Sequence, residues 1–290
     1  MPVLRPRRGL AVVAVLAALL ALAGCGGSSG GDRPSVVAAF YPLAYAAEQV
    51  GGDGIDVIDL TPPGAEPHDL ELTAQQVAQI ADADLVLYIP GFQPAVDEAI
   101  AQQAGDRAVD VTNGIAMIPG DPHVWLNPAN MTIIGNNVAG RLGASFPDLA
   151  DAADYGAANL GKAMSALNDE WLQGTAQCRI RDLVVSHEAF GYLAEAYDFT
   201  QVGIAGLSPE SEPSPARLAE VAALVKEKGI TTIYYETLVD PKVAETVAAE
   251  TGATTAVLDP LEGLPEGYDG DYVTVMLDNL AQVTAGQECS

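Results

Sequence analysis

From residue 35 onward, short apolar runs take turns with longer stretches in which apolar side chains return every three or four positions. The runs at 36–40, 55–60, 85–89 and 109–111 predict strands, and the stretches at 43–50, 73–81 and 95–103 predict helices. Strand and helix in regular succession imply a parallel sheet covered on both faces. The succession pauses at 147–174. There Leu149, Ala153, Leu160, Met164, Leu167 and Trp171 fall at helical spacing, Pro147 suits a first turn and Gly174 a stop. One helix of about 40 Å is expected, at 1.5 Å per residue, long enough to run past two domains.

Alternation then resumes, with strands expected at 183–186, 201–205, 232–235 and 255–258 and helices at 189–197, 215–228, 241–251 and 272–285. Ser214-Pro215 and Asp240-Pro241 have the form of cap and first-turn pairs, and Gly229 and Gly252 the form of C-terminal stops. The fold class expected is α/β: two α/β lobes with mainly parallel sheets, 35–146 and 175–290, joined by the long helix 147–174. No short-period repeat is present, although the lobes read as distant versions of one unit.

The first 24 residues have a different character. Arg5, Arg7 and Arg8 precede an unbroken apolar run over 10–23, followed by Gly24 and Cys25. About 20 apolar residues are needed to span a bilayer, and the order basic, apolar, small is that of an export signal. Leu22-Ala23-Gly24-Cys25 resembles the lipobox of bacterial lipoproteins, in which cleavage precedes a cysteine that then carries lipid. A signal peptide over 1–24, lipidation of Cys25 and a flexible Gly/Ser-rich tether over 25–34 are therefore expected. An exported chain lies where disulfides persist, so Cys178 and Cys289 are expected to form one; two free buried thiols are the alternative.

Composition narrows the function. The chain of 290 residues is 49% apolar and 18% charged, which is enough apolar surface to bury a core. Its 39 acidic and 13 basic residues give a net charge of −26, or −29 once the three arginines of the signal are removed. Such a field repels nucleic acid and favours cations.

Histidine is scarce, and all three are placed alike. His68 follows the second strand across Pro62-Pro63-Gly64, His123 lies in the loop after the fourth, and His187 comes just past the fifth. Ligands of open α/β sheets bind at the carboxyl ends of strands. Two lobes facing each other with those ends would gather all three in the cleft, and Asp259-Pro260-Leu261-Glu262 adds carboxylates from another strand end. Three neutral imidazoles and one carboxylate make a four-coordinate set suited to Zn²⁺. The bland alternatives are surface or backbone-paired histidines, a plain turn at Asp259-Pro260 and a solvated Glu262. Trp125 reads as packing beside the site.

These residues sit in a series of longer motifs: Phe40-Tyr41-Pro42-Leu43-Ala44, Pro63-Gly64-Ala65-Glu66-Pro67-His68-Asp69-Leu70-Glu71, Ala83-Asp84-Leu85-Val86 and Asp121-Pro122-His123-Val124-Trp125-Leu126-Asn127-Pro128. They continue with Ser186-His187-Glu188-Ala189-Phe190-Gly191-Tyr192, Glu210-Ser211-Glu212-Pro213-Ser214 and Leu258-Asp259-Pro260-Leu261. Over nearly all of the mature chain the series resembles the metal-binding receptors of bacterial ABC importers for zinc and manganese, the branch whose two lobes are joined by one long helix. The resemblance makes His68, His123 and His187 the metal-binding histidines. Manganese-type members usually have a carboxylate where His187 stands, so zinc is favoured over Mn²⁺.

For the fourth ligand the resemblance offers Glu262 or Asp259. Glu262 is preferred, because Asp259 precedes Pro260 and is held in the turn, whereas Glu262 adjoins Gly263 and is free to swing inward. Three features depart from the family pattern. Asn127 replaces a common acid, which weakens the expected support for His123; Leu70 replaces a common aromatic; and the His-rich acidic loop of many zinc receptors is missing between Gly91 and Asp121.

The resemblance implies a non-enzymatic receptor on the outer face of the cytoplasmic membrane, held by its lipid, that delivers Zn²⁺ to an ABC permease and its ATPase. The alternatives are a zinc hydrolase, with Glu188 beside His187 as its candidate base, and a manganese receptor or surface adhesin of the same fold.

Overall fold

Two four-stranded parallel sheets organise residues 33–290, the part of the chain that the computed structural model describes. The expected signal peptide 1–24, the lipid site Cys25 and all but the last two residues of the tether 25–34 lie outside the described residues. The first sheet has the order β2-β1-β3-β4, from β1 (Ser35–Ala38), β2 (Asp56–Asp59), β3 (Leu85–Tyr88) and β4 (Ala108–Asp110). The second repeats that order as β6-β5-β7-β8, from β5 (Asp182–Val185), β6 (Thr200–Gly203), β7 (Thr232–Tyr235) and β8 (Thr254–Val257). All pairings are parallel, Val37 opposite both Ile58 and Val86, and Val184 opposite both Val202 and Ile233. The central strands are buried on both faces, which is why they read as continuous apolar runs rather than as alternation.

The sheets are covered by α1 (Tyr41–Gly51), α2 (Ala74–Asp82), α3 (Pro94–Gln103), α4 (Pro128–Ser145), α5 (Ala150–Thr175), α6 (Gly191–Ala196), α7 (Pro215–Lys228), α8 (Lys242–Thr251) and α9 (Tyr272–Gly286). Their ends follow side-chain chemistry. Thr73 and Gln76 form a reciprocal capping box at α2, and Ser214 and Asp271 accept backbone N–H bonds at the starts of α7 and α9. Gly229 and Gly252 terminate α7 and α8 at φ of 64° and 80°, in the left-handed region that glycine enters without steric cost. Among the described residues no helix is long and apolar enough to cross a membrane.

Two expectations are corrected, at α4 and α6. The 18-residue α4 falls where no helix is expected; Pro128 at its first turn and the Asn127 cap on Ala129 N–H start it. The long helix has the expected extent: it begins as a 3-10 turn at Pro147–Leu149 and continues as the 26-residue α5 to Thr175, with Gly174 in its last turn. A Cβ at Gly174 would sit 3.1 Å from the Leu280 side chain, so this glycine lets α9 approach. Lastly, α6 starts at Gly191, two residues after the expected position, because Glu188 and Ala189 are held in a turn by Gly206 and His187 carbonyls.

Helix α5 carries the predicted apolar stripe, with Ala153, Leu160, Met164, Leu167 and Trp171 buried. Near its start it packs on α1 and α4, so closely that a Cβ at Gly156 would overlap the Val50 carbonyl oxygen. Near its end Trp171 stacks on Tyr197 at 5.0 Å, beside β6. One apolar cluster runs from the first sheet through α5 to Leu183 and Val185 of the second sheet, Leu258 just past β8 and Tyr272 of α9, and a smaller one lies between the second sheet and α7 and α8. Cys178 and Cys289 form a disulfide, flanked by Ile180 N–H to Gln287 O at 3.1 Å, so the end of the chain is fastened beside the entry to β5.

Candidate metal centre

Four loops at carboxyl ends of strands converge between the two sheets. His68 stands on the loop after β2, whose turn places Gly64 at φ 80° and ties Gly64 N–H to Leu264 O at 2.8 Å. His123 immediately precedes the 3-10 turn Val124–Leu126 that leads into α4. His187 is two residues beyond β5, and Glu262 follows β8 in the loop to α9.

The three imidazoles point their Nε2 atoms at one oxygen, Glu262 Oε1, at 3.2 Å from His68, 3.0 Å from His123 and 3.2 Å from His187. One donor atom from each of the four residues lies within 4.8 Å of all the others. Among the described residues this is the one group of three or more His, Cys, Asp or Glu side chains so placed. His123 and His187 have no exposed side-chain surface and Glu262 only 1%; His68, at 11%, is the most accessible of the four.

The outer ring nitrogens explain the orientation. Asp121 Oδ1 accepts from His123 Nδ1 at 2.7 Å and from its backbone N–H at 2.9 Å, while Glu236 Oε1 accepts from His187 Nδ1 at 2.9 Å and from Ser186 Oγ at 2.8 Å. A carboxylate can only accept, so Nδ1 carries the hydrogen and Nε2 turns its lone pair to the centre. His68 is set differently: its N–H bonds Glu66 Oε1 at 2.8 Å and its ring meets Phe92 edge-on at 4.7 Å.

Lone pairs aimed at an anionic oxygen repel unless a proton or a cation lies between them. With protons, burial pulls the His187 pKa down, but the bonds to Glu236 and Glu262 overcome it and push it up to about 10. His123 is likewise raised against burial, by Asp121 and Glu262. Burial pushes Glu262 up, yet the three imidazoles hold it well below the usual carboxylate range. A divalent cation satisfies the same geometry, and the buried Glu262 Oε2, without a hydrogen-bond partner, leaves that carboxylate a further oxygen to offer it. Three nitrogens and a carboxylate are donors of the type that Zn²⁺ takes.

Of the two candidate carboxylates, Glu262 is in the cluster and Asp259 is not. Asp259 is turned into its own loop, accepting from Leu261 N–H at 2.7 Å and from Thr237 Oγ1 at 2.5 Å. Asn127 is no partner of His123; it caps α4, and Asp121 takes the supporting position instead. Trp125 is fully buried, 5.2 Å from the His123 ring, and donates its indole N–H to Pro260 O at 2.7 Å. A Cβ at Gly191 would overlap Asp121 Oδ2, so α6 opens with the residue that lets the Asp121 loop close on it.

Sequence reasoning does not single out Asp121, Glu236 or Glu66 as supports of the histidines. Glu236 does carry a signal, because it directly follows β7 just as His187 closely follows β5.

Comparison with known proteins places the chain in a family. The family model described as ZnuA, zinc-uptake complex component A, periplasmic, matches residues 36–286. The chain belongs to this family. It is 33% identical to the high-affinity zinc uptake system protein ZnuA of Bacillus subtilis over 306 residues, covering 94% of this chain and 95% of that one. It is 32% identical over 299 residues to the zinc-binding lipoprotein AdcA of Streptococcus pneumoniae, covering 93% of this chain but 59% of AdcA, so it matches little more than half of that longer protein. The crystal structure of the Zn(II)-bound ZnuA-like domain of AdcA is similar with a TM-score of 0.78 and 33% identity, over 88% of this chain and 99% of that one. The laminin-binding protein Lmb of Streptococcus agalactiae, described as bifunctional with adhesin and metal transporting activity, gives 0.81 and 32% over the same shares. The zinc-uptake family consists of solute-binding components, and its two-lobed fold with a long connecting helix is the fold of this chain.

Proposed function

We propose that this member of the zinc-uptake family is an extracytoplasmic receptor that captures Zn²⁺ with His68, His123, His187 and Glu262 and passes it to an ABC permease driven by its ATPase. The observation that carries the reading is the meeting of those four donor atoms within 4.8 Å, at strand ends of two separate sheets. Burial strips water from the ion, and Asp121 and Glu236 keep two imidazoles in the coordinating tautomer. A third imidazole at His187 favours zinc over manganese, whose preference is for oxygen donors.

Residues 1–24 are proposed to direct export, Cys25 to carry lipid on the outer face of the cytoplasmic membrane, and 25–34 to tether the receptor. Within it, 35–146 and 175–290 act as the two lobes and 147–174 as the connection. A receptor is preferred to a hydrolase because Glu188, the base such an enzyme would use, lies with its side chain against Gly203 at the edge of the second sheet.

The test is metal content of protein purified without chelator, followed by zinc titration against a chromogenic chelator. One zinc per chain is expected, with affinity falling at least tenfold in each of His68→Ala, His123→Ala and His187→Ala. Unchanged stoichiometry and affinity in all three would return the histidines to structural roles.

A further inference from the structure

The loop that delivers Glu262 is built in an unusual way. Leu261, directly before it, is fully buried at φ 56°, a left-handed conformation that a branched apolar side chain adopts only when its surroundings impose it. The imposing contacts come from Asp259. Its Oδ1 accepts from Leu261 N–H at 2.7 Å, closing a turn of the kind Asp and Asn make with the backbone two residues on. Its Oδ2 is held by Thr237 Oγ1 at 2.5 Å, two residues past the end of β7 and next to Glu236. Its own backbone is clasped on both sides by Asn279 of α9, N–H to Oδ1 at 2.8 Å and O from Nδ2 at 2.7 Å. From the other lobe, Trp125 Nε1 fixes Pro260 O. The three residues before Glu262, Asp259, Pro260 and Leu261, are thus all anchored, and the outside anchors Thr237, Asn279 and Trp125 come from three different parts of the fold.

We propose that Asp259 is a positioning residue, not a ligand: with Thr237 and Asn279 it forms a clamp that holds Leu261 in the left-handed region and so aims Glu262 at the three imidazoles. The proposal rests on the reading of Glu262 as the fourth zinc ligand. If the Leu261 turn relaxed to an extended conformation, the carboxylate of the next residue would swing away from the cleft. The clamp also makes α9, through Asn279, part of the metal centre without touching the ion.

A ligand and a clamp differ in what replaces them. Asparagine keeps an oxygen for Leu261 N–H but is a poor substitute for a carboxylate on zinc; alanine has neither property. Zinc affinity is therefore expected within about threefold of wild type in Asp259→Asn and at least tenfold weaker in Asp259→Ala, with Glu262→Gln as the ligand control. Cobalt, which reports coordination by its visible absorption, should give a wild-type spectrum in Asp259→Asn and, in Asp259→Ala, the altered spectrum of Glu262→Gln. Equal losses in Asn and Ala would make Asp259 a ligand, and no loss in either would leave the clamp without a role; both overturn the proposal. If Glu262→Gln itself binds zinc and cobalt like wild type, the reading of the site fails instead. Should Asp259→Ala not fold, Thr237→Val removes a single hydroxyl of the clamp: a threefold or greater loss is expected, and wild-type affinity would overturn the proposal.

Discussion

Glu236 shows how much of a metal centre lies outside its donor atoms. It reaches no ion, but without it His187 is free to rotate or to place its hydrogen on Nε2, and either change removes a donor. Partners of this kind are worth about 10- to 100-fold in metal affinity. Glu236→Ala is therefore expected to weaken zinc by about that factor in chelator competition, and Asp121→Ala to do the same through His123; wild-type affinity in both would show that packing alone orients the rings. The donors themselves are readable from sequence, because a chain of 290 residues that confines its three histidines to strand ends has concentrated its imidazoles where ligands bind. Their supports are not. Asp121 and Glu236 are two of 39 acidic residues, and which carboxylate turns inward depends on a fold that brings Ser186 and Glu236 together across 50 positions. Asp259 and Glu262 can be separated only by backbone reasoning: a residue before proline, held in a turn, points elsewhere.

At the scale of elements, the central strands and most helices are legible because burial writes them as apolar runs and stripes. Helix α4 is not, since Gly135, Asn136, Asn137, Gly140 and Gly143 all disfavour helix and its apolar stripe is diluted by small residues. Tertiary packing overrides that propensity: α4 lies against α5 along most of its length, and a Cβ at Gly135 would press on Leu160. The glycines of this layer thus fall into two kinds with opposite expected effects. Gly156→Ala drives a methyl into the Val50 backbone and should destabilise by about 1–3 kcal/mol. Gly140 is exposed on α4, and a Cβ there would meet nothing within 4 Å, so Gly140→Ala should stabilise by about 0.5–1 kcal/mol. Denaturant midpoints of the two variants check both signs; a stabilising Gly156→Ala would refute the close approach of α5 to α1.

For the whole molecule, the disulfide and the charge set the conditions of stability. Cys178 and Cys289 are 111 positions apart, and a loop of that size gives a link of at most about 4–5 kcal/mol. Reduction should therefore lower the thermal midpoint of the metal-free protein, while thiol titration without reduction should find neither cysteine. The pH dependence follows from groups shifted in one direction. Burial raises Asp59 to about 7, burial and the Glu262 charge raise Glu66 to about 8, and His187 is held near 10 by its carboxylate partners in spite of burial. Each therefore binds its proton more tightly folded than unfolded, where His titrates near 6.5 and the acids near 4, and stability falls wherever the folded state holds the more protons. The His187 contribution is complete below pH 6.5 and lost as pH rises through 10; those of Asp59 and Glu66 are lost earlier, as pH rises through 7 and 8. Glu262, shifted downward, acts oppositely and only in acid, where its contribution is lost as the pH falls. The metal-free protein should thus be most stable in mildly acidic buffer and weaken steadily toward pH 9, in the same direction as self-repulsion from a net charge of −26. Zinc reverses the trend at its own site, because it displaces the protons that His123 and His187 retain, and its affinity climbs as they leave. The interval between the melting temperatures of zinc-loaded and chelator-treated protein should therefore widen from pH 6 to pH 9, with protons released on binding at pH 7.5. A metal-free protein that grows more stable over that range, or zinc binding without proton release, would contradict the retention of protons by imidazoles paired to carboxylates.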